Sequence, residues 1–334
     1  MKPVYLVLED GAVFRGQSVS DDCKCSGLLS FYTGVVGYQE VVTDPANLGK
    51  IILFTYPLIG NYGVNGEDAE SQSPKAAGLL AKEYPPYYSN FRAEGNLKDY
   101  LAANGTVFAD RFDTRAIMLH LREHGEMRAA VTDEEPADGD ASGLIGDTQF
   151  PKYQPENQPQ PCPEAAVKAA VVDLGASKSF FKHLAALGVD ASAEPDDAEL
   201  IIVSDAPYYA VENQAAVDRV KDWVGRKPVI GFGHGSAIAA KACGAAVERM
   251  KFGDHGVNVP VRYTGGGRNE ITVQNHNYVV KPDSSCEALF ENVHDGTCEG
   301  FVCRQAAVCG ANFLPNEDWF RALLDSLSIQ VRTK

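Results

Sequence analysis

No apolar stretch of this 334-residue sequence reaches the roughly 18–20 residues that a membrane-spanning helix requires. Basic residues are scarce, 30 Lys and Arg against 45 Asp and Glu, for a formal net charge of −15. A surface of that sign repels phosphate backbones and anionic lipid, so neither a nucleic-acid partner nor a membrane is expected. The first residues do not read as a signal peptide, because Glu9 and Asp10 cut short the apolar run Val4–Leu8. A cytoplasmic protein is the expectation. The eight cysteines, at 23, 25, 162, 243, 286, 298, 303 and 309, contain no CxxC pair. They read as buried or free thiols in a reducing compartment, with no metal cage and no disulfide framework. Internal repeats are also missing, and no cofactor is implied.

What is present suffices for two ordinary cores, with 45% hydrophobic and 22% charged residues. Between Gln149 and Glu164 the chain reads QFPKYQPENQPQPCPE. Prolines at 151, 155, 159, 161 and 163 fix φ and remove backbone donors, which excludes a regular helix or central strand and marks a linker at 149–164. Domains are therefore expected at 1–148 and 165–334. The first reads as mixed α/β, with strands near 4–8, 27–33 and 50–55 and a turn at Asp10-Gly11. Helices are predicted near 72–83 and 114–124, the second opened by Asp113-Thr114. The second domain alternates strand and helix: strands at 169–174, 200–203 and 228–232, and helices at 177–187, 213–224 and 236–243. That alternation predicts a doubly wound, mainly parallel sheet with its site at the carboxyl ends of the strands.

The sharpest local feature is Gly231-Phe232-Gly233-His234-Gly235-Ser236, where a strand turns abruptly into a helix. Enzymes of this architecture place a nucleophile at such an elbow, with helix N–H groups facing the reacting oxyanion. Here the apex is Gly233, which has no side chain to attack with. Several blocks elsewhere carry a family resemblance: Leu6–Gly11, Gly37–Pro45, Thr55–Gly63, Ser89–Arg92 and Asp113–Arg115, then Met250–Gly253 and Gln274–His276. Through them the chain resembles the small, glutaminase subunit of carbamoyl phosphate synthetase over nearly its full length. The resemblance implies an N-terminal small-subunit domain and a class I glutamine amidotransferase domain. It also implies a large synthetase subunit as partner, which receives ammonia made by a Cys–His–Glu triad.

The departures from that pattern are informative. In register with the family, the Cys position is Gly233, and the His and Glu positions are Ala311 and Phe313. The His-Gln pair after the elbow falls on Ser236 and Ala237, and the oxyanion loop falls on Ser204–Tyr208. A serine of the first domain that helps hold glutamine falls on Gly34. Thiolate attack needs the sulfur, a base and a group to orient the base, and none is present. The former pocket then comprises Gly34, Ala206, Tyr208, His234, Ala237, Asn275, Asn277 and Tyr278. Tyr208 is expected to fill space that glutamine would take, and Phe313 to make the site more apolar.

These residues lead to three readings. The favoured one is a non-catalytic homologue that docks on a synthetase large subunit through residues 1–148 and supports ammonia-dependent synthesis. The second is a stand-alone protein that binds a different small molecule in the altered pocket. The third is new chemistry using His234, imagined as a pair with Ser236, or Cys309, for which no complete nucleophile–base–orienter set can be drawn. Similarity alone would make the chain a glutamine-hydrolysing subunit, and on its residues that activity is expected to be absent. Cys243 reads as a packing thiol. His120-Leu121-Arg122-Glu123-His124 has the HxxEH spacing of a zinc helix, but with no evident third ligand it reads as a solvated helix end.

Overall fold

The computed structural model describes residues 2–21, 23–136, 141–145 and 150–329. The chain divides into two compact units, Met1–Lys152 and Tyr153–Lys334. The domain end expected at 148 and the first linker residue, Gln149, lie outside the described residues.

The first unit contains β1 (Pro3–Leu8), β2 (Val13–Ser18), β3 (Cys25–Tyr32), α1 (Tyr38–Thr43), β4 (Lys50–Phe54) and β5 (Gly78–Leu80). It continues with α2 (Leu97–Ala103), β6 (Val107–Asp110), α3 (Thr114–His124), β7 (Arg128–Thr132) and α4 (Ala141–Ile145). The seven strands among its described residues close into a barrel in the order β1-β2-β6-β5-β4-β3-β7. Closure removes exposed sheet edges, so no covering layer is needed there. The β1–β2 turn forms because Gly11 adopts φ +89° and Asp10 Oδ1 accepts the Ala12 N–H at 3.0 Å. Asp113 caps α3 by accepting the Ala116 N–H, the kind of bond worth about 1 kcal/mol.

The helix expected at 72–83 does not form. Ala76, Leu79 and Leu80 fit helical spacing, but Pro74 and Gly78 interrupt it. The run is used instead as β5, which pairs in parallel with β4 and β6 and completes the barrel. Tertiary closure outweighs the local pattern.

The second unit contains β8 (Val167–Val172), α5 (Lys178–Ala186), β9 (Val189–Asp190), β10 (Leu200–Val203), α6 (Gln214–Lys221), β11 (Val229–Phe232) and α7 (His234–Ala242). Then follow β12 (Ala246–Tyr263), β13 (Glu270–Lys281), β14 (Glu287–Asn292), β15 (Cys298–Cys303), β16 (Val308–Ala311) and α8 (Glu317–Ser326). One nine-stranded sheet runs β13-β12-β14-β15-β16-β11-β10-β8-β9. Strands β16, β11, β10, β8 and β9 pair in parallel, whereas β12 to β15 form an antiparallel extension joined at β16. Both faces of the parallel half are buried. Along β10, Ile201 and Val203 join the core containing α6 and α7 residues, while Leu200 and Ile202 join the core containing Phe180, Phe181 and Phe320 of α5 and α8. Two-sided burial explains why these strands read as unbroken apolar runs.

Candidate functional site

The parallel strands end at a shared edge, and there β11 turns into α7 through Gly233. The backbone at Gly233 has φ 56° and ψ −133°, which a residue with a Cβ adopts only under strain. Its neighbours allow the tight turn. A Cβ on Gly235 would stand 2.0 Å from the Ser204 carbonyl oxygen, and one on Gly231 would stand 2.5 Å from the Gly235 carbonyl. Helix α7 begins at His234, two residues before the predicted start, because the turn leaves no room for an intervening loop.

The space at the apex is occupied by another side chain. A Cβ on Gly233 would lie 2.3–2.5 Å from the carboxylate atoms of Asp205. Asp205 follows β10 and Ser204, whose hydroxyl oxygen accepts the Leu174 N–H at 2.9 Å and so ties the ends of β8 and β10 together. Asp205 Oδ1 accepts the N–H of Ala206 at 2.7 Å and of His234 at 2.8 Å. The partial positive charge of the α7 N-terminus is thus met by an internal carboxylate. Asp205 also lies 3.3 Å from His234 Nδ1.

From His234 a chain of polar contacts runs inward. The imidazole is fully buried, and Asn277 closes over its Nε2, with the backbone N–H 3.2 Å and side-chain Oδ1 3.3 Å away. Asn277 Nδ2 lies 3.4 Å from His255 Nε2, and His255 Nδ1 lies 2.8 Å from Asn275 Oδ1. The geometry therefore brings Ala206, His234, Asn275 and Asn277 into one connected set in which polar groups face each other.

Comparison with known proteins gives this elbow its context. Residues 6–131 match the family described as the carbamoyl-phosphate synthase small chain, CPSase domain, and residues 165–317 match glutamine amidotransferase class-I. A carbamoyl phosphate synthase small chain from Oceanobacillus iheyensis is 35% identical over 321 residues, covering 90% of this chain and 87% of that protein. Its namesake from Caldanaerobacter subterraneus is 35% identical over 327 residues, covering 93% and 90%. The chain belongs to the carbamoyl phosphate synthase small-chain family. Its second unit carries the α/β architecture of the class I amidotransferase domain of that family.

The positions that the resemblance aligns with the family triad lie close together. Phe232 pairs with Ala311 across β11 and β16, and the Gly233 N–H donates to the Ala311 carbonyl at 3.0 Å. Ala311 is fully buried in an apolar cluster, and Phe313 packs against Phe290 and Trp319 with ring centroids 5.4 and 5.5 Å apart. Neither position carries a proton-transferring group. Tyr208 is buried in a short turn after Pro207, and Tyr278 stands edge-on to His234 at 6.2 Å. Ala237 belongs to the core beneath α7 and presents nothing polar. Gly34 lies in the other unit, where the Tyr32 ring occupies the place of a Cβ, at 2.4 Å.

The side chains weighed as alternative nucleophiles are enclosed or turned toward neighbouring elements. Ser236 Oγ faces β16, where a Cβ on Gly310 would stand 2.6 Å away. His234 Nε2 is enclosed by Asn277. Cys309 points toward the Leu323 carbonyl of α8, 3.8 Å away, and burial pushes its thiol pKa up. Cys243 bonds back to the Ala240 carbonyl at 3.2 Å. Its pKa is raised by contact with the Cys303 thiol and by burial, which leaves it inert.

Sequence reasoning missed Glu299, which completes a second polar cluster with Asp254 and His276, residues in or beside the family-like blocks. Asp254, His276 and Glu299 converge from β12, β13 and β15. His276 and Glu299 are fully buried, with Nε2 and Oε2 3.2 Å apart. Asn292 and Asn312 each donate to Glu299 at 3.0 Å, and Thr297 contributes at 3.2 Å. Burial works against both charges. The pair nevertheless holds the Glu299 carboxyl below its ordinary value, while Glu299 and Asp254 raise His276. Every oxygen of Glu299 is engaged, so this is an internal ion-pair network.

Proposed function

We propose that this chain is a small-subunit homologue without glutaminase activity, which docks on a carbamoyl phosphate synthetase large subunit and leaves free ammonia as the nitrogen source. The carrying observation is the Asp205 carboxylate in the space where a nucleophile's side chain would begin. It supports loss of function in three ways. No atom at 233 can form the covalent intermediate, the α7 N-terminus is already neutralised by an anion, and a carboxylate there repels a tetrahedral oxyanion. The absence of titratable groups at 311 and 313 agrees with this reading.

The docking half draws on the first unit, which holds most of the family-like blocks. Phe91 is 98% exposed and Tyr87 83% exposed, and both Val35 and Val36 also stand in solvent. Exposed aromatic side chains of this kind are common anchors of protein interfaces. The test has two parts. A pull-down from native cytosol should recover a synthetase large subunit, and Phe91→Ala should weaken that association by roughly tenfold or more. The assembled complex should make carbamoyl phosphate from ammonia and none from glutamine. Glutamine-driven synthesis, or recovery of the chain alone, would refute the reading.

A further inference from the structure

We propose that the barrel unit carries a surface site for a zinc-type divalent cation, built from Asp10, His120 and His124. Two imidazoles at i and i+4 on α3 share a helix face. The fold supplies the third ligand from 110 residues away. Asp10 in the β1–β2 turn places Oδ2 2.6 Å from His120 Nε2, and the two imidazole rings stand 4.4 Å apart, centroid to centroid. One ligand atom from each of the three residues lies within 4.8 Å of the others.

Two features hold the donors in place. Asp10 is fixed by its turn: Oδ1 accepts the Ala12 N–H, which leaves Oδ2 directed at the helix. His120 is braced by the edge of Phe14, with ring centroids 5.9 Å apart. Donors around tetrahedral zinc stand about 3.3 Å apart, so Asp10 Oδ2 and His120 Nε2 must part slightly and give up the proton they share, a small adjustment for side chains that border solvent. The side chains of His120, Asp10 and His124 are 21, 35 and 44% exposed, giving an ion an entry path and room for water as a further ligand. Glu123 lies beside the site, 4.0 Å from His124 Nε2, and adds negative charge.

Two imidazole nitrogens and one carboxylate select zinc(II), or neighbouring ions such as cobalt(II) and nickel(II). Calcium and magnesium require oxygen donors and are disfavoured. Bound metal would clamp the β1–β2 turn to α3. No hydrolytic role is assigned, because the site serves as a brace on the barrel exterior. It is independent of the elbow, and its failure would leave the proposed function untouched.

The test uses the untagged full chain, stripped of metal and titrated with zinc chloride by calorimetry. One equivalent should bind, and His120→Gln combined with His124→Gln should weaken that event by roughly tenfold or more. Asp10→Asn should weaken it less, and calcium should give no signal. Cobalt(II) should produce a nitrogen/oxygen spectrum without thiolate charge-transfer bands, which separates this site from the cysteines. Far-UV circular dichroism of the variants confirms that they fold. Absence of zinc binding, binding unchanged in the double variant, or a thiolate spectrum would each overturn the proposal.

Discussion

Two imidazole–carboxylate pairs in the second unit have nearly the same separation and opposite characters. Asp205 and His234 stand 3.3 Å apart at the elbow, and Glu299 and His276 stand 3.2 Å apart in the antiparallel extension. Asp205 is 28% exposed and accepts two backbone N–H groups at a helix start, whereas Glu299 is wholly enclosed among side-chain donors. The first carboxylate is solvated from one side and stabilised by peptide dipoles. The second is stabilised by a buried imidazole and by side-chain amides that it shares with Asp254 and the Cys298 carbonyl. A short imidazole–carboxylate distance thus says little until the surroundings of both groups are counted.

Truncating side chains at each site should separate the two pairs most strongly. Glu299→Ala should cost about 3–5 kcal/mol in urea unfolding, because His276, Asn292 and Asn312 lose their shared acceptor. Gly233→Ala should cost somewhat less, about 1–3 kcal/mol from backbone strain with a further contribution from contact with Asp205. Combining it with Asp205→Ala should recover part of that loss, and a double-mutant cycle measures the coupling. Gly233→Cys alone should be destabilised and should gain no glutaminase activity.

Changing pH sharpens the contrast without mutation. Glu299 has its carboxyl depressed from 4.5, so its contribution is present above that value and fades as pH falls through the folded pKa. His276 is raised from 6.5, so its contribution is full below 6.5 and fades as pH rises through the folded value. The stability gap between wild type and Glu299→Gln, followed by chemical denaturation, should therefore narrow at both extremes. The smallest effect expected is that of Asp205→Ala, about 1 kcal/mol, the ordinary worth of a helix cap.

Much of this architecture was legible in the sequence. Unbroken apolar runs such as Leu200–Val203 marked parallel strands buried on both faces, and Ser177, Asp113 and Asn213 marked helix starts that the structure bears out as caps. The turn at Gly231–Ser236 was likewise readable from its glycines. The barrel was not. Its strand β5 spans three residues whose spacing also suits a helix, and only pairing with β4 and β6 decides between them. The antiparallel extension was missed because β12 and β13 mix polar and apolar residues across bulges. At the elbow, the glycine at 233 was legible in the sequence, while the position of the Asp205 carboxylate beside it required coordinates. The same holds for Asp10 beside His120, since no local pattern connects positions so distant in the chain.

The central claim is that the elbow holds a carboxylate in place of a working nucleophile. Its most direct test is ammonia release from glutamine by the purified full chain, alone and with a synthetase large subunit. No release above the buffer rate is expected in either case, while the same complex consumes added ammonia. Steady glutamine hydrolysis by the wild-type chain, with or without the large subunit, would contradict it.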